Sequence, residues 1–200
     1  MGCLGGCSSE VERRPVEADA TGSIPVSHPK SRMEIKERPF TYIEAQTLYK
    51  AIKETPNIIG YTVKELQAFK DVFLAEDNGM LVGLSINIDL PSSWNEIAVL
   101  YVFENYRKRG LGRTLFDLAF KKAWGKSRNI YTVSRNPHAI SMMKEHGFSL
   151  KKKLWNLPFP VMLYNFKYAL TSYRITEFLR KLLKYRNGSG WVYGFKLWVR

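Results

Sequence analysis

The chain is 200 residues long, 45% hydrophobic and 14% aromatic, with a formal net charge of +13. That much apolar material builds a core and excludes wholesale disorder, while no apolar run approaches the roughly 20 residues a helix needs to cross a bilayer. Its two cysteines, Cys3 and Cys7, sit near the N-terminus, so a disulfide framework and a cysteine-based zinc site are excluded from the rest of the chain, and no metal is expected.

Charge divides the sequence into unequal parts. Residues 1–32 are net zero, residues 33–150 net +3 and residues 151–200 net +10, with Glu177 the single acid of the last part. That last quarter also carries twelve of the 27 aromatic residues. A near-neutral body with a basic, aromatic end favours anionic neighbours: phosphate, nucleic acid or acidic lipid. The expectation is a cytoplasmic protein with a leader (1–32), a folded core (33–154) and a helical insertion with a terminal strand that completes the core (155–200).

The leader lacks hydrophobic periodicity. Gly6 stands where a myristoylation signal beginning Met1-Gly2-Cys3 needs Ser or Thr, and no apolar stretch precedes Leu4-Gly5-Gly6-Cys7 as a lipoprotein signal requires. Ser8–Arg13 and Gly22–Pro25 are what the D-arm and T-arm sequences of a transfer-RNA gene would encode. The leader therefore reads as a mis-assigned start, with translation beginning at Met33. The plainer alternative is an ordinary disordered extension, and neither carries chemistry.

From Met33 the pattern alternates between strand and helix. Phe40–Ile43 reads as a short strand, and Glu44–Glu54 as a helix with Ala45, Leu48 and Ile52 on one stripe. Thr62 and Glu65 form a capping-box pair opening a short helix to about Lys70. Val72–Ala75 and Met80–Leu90 read as strands joined at Asp77-Asn78-Gly79, a hairpin signal. Glu96–Phe103 is a third strand, Gly110–Trp124 an amphipathic helix, Asn129–Val133 a strand, Pro137–His146 a helix stopped by Gly147, and Phe148–Leu154 a strand. Leu157–Pro160 breaks the chain. Tyr168–Arg186 reads as a helix with Ile175, Phe178, Leu179 and Leu182 on one face, and Trp191–Arg200 as a final alternating strand. Hairpins followed by a β-α-β-α-β run specify an α/β fold with a mixed sheet.

The stretch that carries chemistry is Val99 to Arg113, a buried strand running through a glycine-bearing turn into a helix. Gly110 and Gly112 let a ligand approach the backbone. The first amides of the helix point outward, and Arg107, Lys108, Arg109 and Arg113 add positive charge. Together these make a cradle for a pyrophosphate.

At this point the sequence resembles the GNAT superfamily of acyl-CoA-dependent N-acyltransferases. Its R/Q-x-x-G-x-G/A signature matches Arg107, Gly110 and Gly112. Its N-x-x-A-[I/L]-x-x-Y-x-x-x-G-F pattern matches Asn136, Ala139, Ile140, Gly147 and Phe148, in the right order after the first motif. The resemblance covers roughly Glu37 to Leu154. It implies an α/β fold with a mixed, mostly antiparallel sheet whose central strands splay, flanked by helices, and here a C-terminal helical insertion.

The resemblance also implies a mechanism. Acetyl-CoA, the co-substrate, would rest its diphosphate on the amides of Lys108, Arg109, Gly110, Leu111, Gly112, Arg113 and Thr114. Its pantetheine arm would pair with Leu100 and Val102, and Asn136 would help hold that arm. A primary amine of unknown identity would attack the thioester directly while a base takes its proton. Glu96, at the head of its strand, is the candidate base, and Glu104 the rival; strand alternation puts residues 96, 98, 100 and 102 on one face. Where many family members carry a tyrosine that protonates the departing thiolate, this chain has Met143, which leaves water, Tyr101 or Tyr131 as the proton source.

The insertion is expected to border the acceptor pocket. Phe159, Tyr164, Phe166, Tyr168 and Tyr173 either line that pocket or pack the helix onto the sheet. The positive charge predicts neutral or anionic acceptors, and an apolar insertion leaves room for a longer acyl donor. The alternative of another class is a non-catalytic CoA-binding module that contacts RNA or an anionic membrane through the basic end.

Overall fold

The computed structural model describes residues 33–58, 60–169, 172–184 and 190–199. The leader therefore lies outside the described residues. Thirteen regular elements follow in chain order: β1 (Met33–Glu37), α1 (Tyr42–Lys53), α2 (Val63–Ala68), β2 (Asp71–Asp77), β3 (Met80–Leu90), β4 (Trp94–Val102), α3 (Leu111–Gly125), β5 (Asn129–Ser134), α4 (Pro137–Glu145), β6 (Ser149–Lys151), α5 (Phe159–Ala169), α6 (Ser172–Lys184) and β7 (Val192–Lys196).

The strands form one sheet in the order β1-β2-β3-β4-β5-β7-β6. Neighbours run antiparallel except β4 and β5, which pair in parallel over Trp94↔Asn129, Asn95↔Ile130 and Glu96↔Tyr131 and then part. The predicted α/β fold with a mostly antiparallel sheet and splayed central strands is the one observed. Helices α3 and α4 cover one face over Leu115, Phe116, Ala119 and Met143. Helices α1 and α2 cover the other over Leu48, Ile52, Leu66 and Leu74. A third apolar cluster joins Trp94 and Tyr131 to Leu157 and Val161 at the foot of α5.

Local chemistry sets the boundaries. The Thr62–Glu65 capping box opens α2 as its spacing predicts, and a second one, Thr41–Glu44, opens α1. That second box corrects the strand expected at Phe40–Ile43. Thr41 is the N-cap, so the helix starts at Tyr42, and the first strand lies earlier at Met33–Glu37. The β2–β3 turn carries Asn78 and Gly79 at φ 51 and 80, the two positive values a tight hairpin requires. Past β6 the expected strand to Leu154 stops at Lys151. The helix expected over Tyr168–Arg186 is α6, and an unexpected helix, α5, precedes it: Pro160, read as part of a chain break, sits in the first turn of α5, where a missing N–H costs nothing.

Candidate active site

The turn between β4 and α3 folds as the glycines and cations suggest. Lys108 and Gly110 take φ of 62 and 80, which curls successive amides toward one side. Gly110 is the N-cap of α3, and its carbonyl accepts from the amides of Arg113 (3.0 Å) and Thr114 (3.1 Å). The amides of Leu111 and Gly112 precede the first amide that donates within the helix, that of Arg113, and point out of the helix end. The cradle is thus narrower than the expected run of amides from Lys108 to Thr114: it ends at Gly112, because the next two amides close the first helical turn. A Cβ added at Gly110 or Gly112 would meet open space or only Val102 Cγ2 at 3.6 Å.

A cleft of about 790 Å³ runs from this turn between the parting strands. Leu100, Val102, Arg107, Lys108, Gly110, Gly112, Arg113 and Asn136 line it; Arg109, Leu111 and Thr114 do not. Leu111 is buried in the core under α3, and the Arg109 guanidinium stands over the Tyr106 ring at 5.4 Å. The cations are partly engaged. Arg107 Nε donates to Val102 O (2.9 Å), and Arg113 pairs bidentately with Glu145 of α4. Asn136 Oδ1 accepts from the His138 amide (2.9 Å), so this side chain caps α4 at the cleft wall.

Where β4 leaves β5, it also bulges. Its register against β3 runs Val99↔Ile86 and then Ile97↔Asn87, which leaves Ala98 without a partner. The extra residue reverses the alternation. Leu100 and Val102 pack with the α3 side, whereas Ala98, Val99 and Tyr101 pack with the α1–α2 side. The expected common face of residues 96, 98, 100 and 102 is therefore split at the bulge. Glu96 and Ala98 belong to the α1–α2 face, opposite Leu100 and Val102.

Glu96 is 7% exposed. Burial lifts its carboxyl to about pKa 7, against the opposing pull of a hydrogen bond from Tyr164 and the charge of Arg174. Four tyrosines, Tyr61, Tyr131, Tyr164 and Tyr168, feel its charge in turn, and burial is the first cause of the raised pKa of each. Tyr164 and Tyr168 come from α5 and Arg174 from α6. Arg174 stacks on the Tyr168 ring at 3.5 Å and pairs with Glu65 at the start of α2 (2.8 Å). The insertion thus roofs the buried carboxylate with phenols and a guanidinium. Glu104, the rival base, is exposed and lines the cleft, which Glu96 does not.

Helix α6 presents its charged face inward. Arg180 Nη2 donates to Lys53 O (3.0 Å), Lys184 pairs with Glu54 (2.7 Å), and Lys181 Nζ donates to Ile52 O and Thr55 O (2.8 Å each) and to Ile58 O. Residues 54–58 are the rim of the cleft opposite the nucleotide cradle. The basic groups expected to colour the acceptor mouth bond this rim instead. Phe159 and Phe166, expected either to line the acceptor pocket or to pack the helix onto the sheet, do neither and are exposed on the outside.

Met143 is fully buried on the cleft wall, with its sulfur 2.9 Å from the position a Cβ would take on Gly194. Of the two alternative proton sources, Tyr131 is turned away into the third cluster, where its hydroxyl donates to Asn165 Oδ1 (2.9 Å). Tyr101 borders the cleft. Sequence reasoning named Tyr164 and Tyr168 as pocket candidates but missed Arg174 beside them and the clamp of Lys181. The spacing Tyr164/Tyr168 and Arg174/Glu177/Lys181 was the available signal, one helical face each. Among the described residues, no group of three or more metal-type ligands gathers.

The family model described as acetyltransferase (GNAT) family matches residues 28–148. Among curated proteins, none matches the chain by sequence. Among solved structures the chain is similar to N-acetylglutamate synthase of Neisseria gonorrhoeae, complexed with coenzyme A and N-acetyl-glutamate (TM-score 0.60, 17% identity, 86% of this chain and 36% of that one). The chain thus spans about a third of that synthase. It is also similar to Rv2747 of Mycobacterium tuberculosis in complex with CoA and NLQ (0.58, 13% identity, 84% and 99%). Ard1 of Thermoplasma volcanium is a third (0.56, 17% identity, 84% and 99%). At such identities these likenesses speak for the fold, and none lends support to a non-catalytic module. A family match over residues 28–148, on a cleft that opens where β4 and β5 part, makes the chain a member of the GNAT acetyltransferase family.

Proposed function

We propose that the protein transfers the acetyl group of acetyl-CoA to a primary amine by direct attack, with Glu96 as the general base. The observation that carries this reading is the buried Glu96 carboxyl, held near pKa 7 beside the vertex where β4 and β5 part. An acceptor resembling lysine arrives as an ammonium of pKa ~10 and must lose a proton before it can attack. A carboxyl poised near neutrality takes that proton at working pH. Ala98 lines the cleft and Glu96, which does not, lies two residues behind it on the same face, about 7 Å along the strand, so in this reading the proton reaches the carboxylate through water.

The rest of the chain has matching tasks in this reading. The outward amides of Leu111 and Gly112 at the head of α3 take the diphosphate. The pantetheine arm lies in the gap along Leu100 and Val102, with the Val102 carbonyl shared with Arg107, and Asn136 closes the opposite wall. The bulge at Ala98 takes its main-chain groups off the β3 ladder and leaves them for the thioester carbonyl. As the amine nitrogen bonds to the carbonyl carbon, the carbon–sulfur bond breaks and coenzyme A leaves as a thiolate. With an ordinary thiol pKa of ~8.5, the thiolate recovers its proton from water, so Met143 is no obstacle.

Thiol release from acetyl-CoA, measured across primary amines of different charge and size, tests the reading. Glu96→Gln is expected to lower kcat/KM by about 10²–10³ while acetyl-CoA still binds. Thiol release by no amine in the panel would overturn the acceptor class, and an unchanged pH–rate profile in Glu96→Gln would remove Glu96 from the base role.

A further inference from the structure

Helix α6 is folded with its polar side in. Its buried row is Arg174, Glu177 and Lys181, and its outward row is Ile175, Phe178, Leu179 and Leu183, between 45% and 80% exposed. Helix α5 repeats the arrangement. Val161, Tyr164 and Tyr168 face the fold, while Phe159, Leu163 and Phe166 are 40–68% exposed. Trp155, just ahead of α5, is 71% exposed. The inward rows meet where Arg174 stacks on Tyr168, and both outward rows are turned to solvent. Eight of the fourteen large apolar side chains exposed among the described residues fall between Trp155 and Leu183, so this surface is concentrated, not scattered.

Within residues 151–184 the exposed charge is basic. Lys152, Lys153 and Lys167 are exposed, and Lys153 stands over the Trp155 ring at 5.6 Å. The only acid of residues 151–200, Glu177, is turned inward and held by Arg180. We propose that the outer face of α5 and α6 docks on an anionic lipid bilayer, with the aromatic and aliphatic side chains in the headgroup boundary and the lysines on the anionic headgroups. At 11 and 13 residues the two helices are too short to span, and no described helix is long and apolar enough to cross a membrane. Helices with such an apolar face and flanking lysines lie in the interface.

The same features disfavour other occupants. A second copy would press two segments of net +10 against each other. Single-stranded RNA stacks bases on aromatic rings and has no use for Leu163, Ile175, Leu179 and Leu183.

Flotation of the full chain with vesicles tests the docking. Phosphatidylcholine vesicles with phosphatidylserine are expected to capture the protein about a hundredfold better than phosphatidylcholine alone, since each of three lysines near an anionic surface contributes severalfold. The double substitution Phe178→Glu and Leu183→Glu is expected to abolish capture, and its circular dichroism and vesicle-free thiol release to match the parent. A triple replacement of Lys152, Lys153 and Lys167 by Ser, which leaves the apolar rows in place, is expected to remove the preference for phosphatidylserine. Absence of capture by either vesicle overturns the proposal. So does capture unchanged in the Phe178/Leu183 variant. A dimer in light scattering that this variant dissolves, without vesicle capture, gives the face to a second copy instead. Salt-sensitive RNA binding without vesicle capture gives the basic end to nucleic acid.

Discussion

Lys181 of α6 places its ammonium on the carbonyl of Ile52, 2.8 Å away, at the point where α1 ends and the rim of the cleft begins. The same nitrogen donates to the carbonyls of Thr55 and Ile58, while burial pushes its pKa down to about 8. One side chain from the insertion thus ties the last turn of α1, through Ile52 O, to two carbonyls of the segment that follows it, those of Thr55 and Ile58.

Lys181→Met keeps the stem and removes the donor. It takes a donor from the carbonyls of Thr55 and Ile58, and a loss of about 1–3 kcal/mol in unfolding free energy is expected. In the proposed reading the rim it releases borders the acceptor and not the diphosphate. The KM of the acceptor is therefore expected to rise severalfold, with acetyl-CoA affinity unchanged. Denaturant titration and steady-state kinetics check both, and an unchanged midpoint would show that the rim holds itself.

Glu96 makes stability and rate depend on pH in opposite directions. Its carboxyl titrates near 7 in the fold and near the ordinary 4.5 when unfolded, so the unfolded chain loses that proton first. This group's contribution is intact below pH 4.5 and is lost as pH rises toward 7, a fall of roughly 3 kcal/mol. Glu96→Gln is expected to remove that slope from the unfolding free energy. In the rate the sign is reversed, because the ionised form is the base: kcat/KM rises through an apparent pKa near 7. Tyr164 hydrogen-bonds the carboxylate and pulls its pKa down. Tyr164→Phe is therefore expected to move the rising limb of the pH–rate profile to higher pH, and a shift the other way would deny the contact.

Tyr101 borders the cleft and Tyr131 does not. If the thiolate takes its proton from water, Tyr101→Phe leaves kcat within about twofold, since no proton donor of the step is lost. A larger drop in kcat would assign the proton to that phenol.

The chain shows its fold in the sequence where one short-range rule decides the structure. The Thr62–Glu65 box, the Asn78-Gly79 turn and the glycines before α3 each specify their geometry within a few residues. It hides what depends on distant partners. Met33–Glu37 alternates charges and becomes a strand only because β2 is there to pair with it. The bulge at Ala98 is invisible to a period-two reading, which is why Glu96 and Leu100 were expected on one face. For α6 the apolar stripe pointed to a buried face, since burying apolar surface is the usual driving force. The carbonyls at the end of α1 and the carboxylates of Glu54 and Glu65 reverse it, and no local pattern announces them.

Gly110 and Gly112 stand two residues apart and are expected to fail differently. Gly110 holds φ of 80, so Gly110→Ala imposes a left-handed conformation that costs about 1–2 kcal/mol, whatever space surrounds it. Gly112 sits inside α3 at ordinary φ, and a Cβ there touches only Val102 at van der Waals distance. Gly112→Ala is expected to leave the melting temperature unchanged or raised, because alanine favours the helix by up to about 1 kcal/mol. The added methyl nevertheless projects into the cleft beside the outward amides, where a diphosphate must approach the backbone. Isothermal titration should show acetyl-CoA binding weakened at least tenfold in Gly112→Ala despite its intact fold. Full affinity in a stable Gly112→Ala protein would move the diphosphate away from the head of α3.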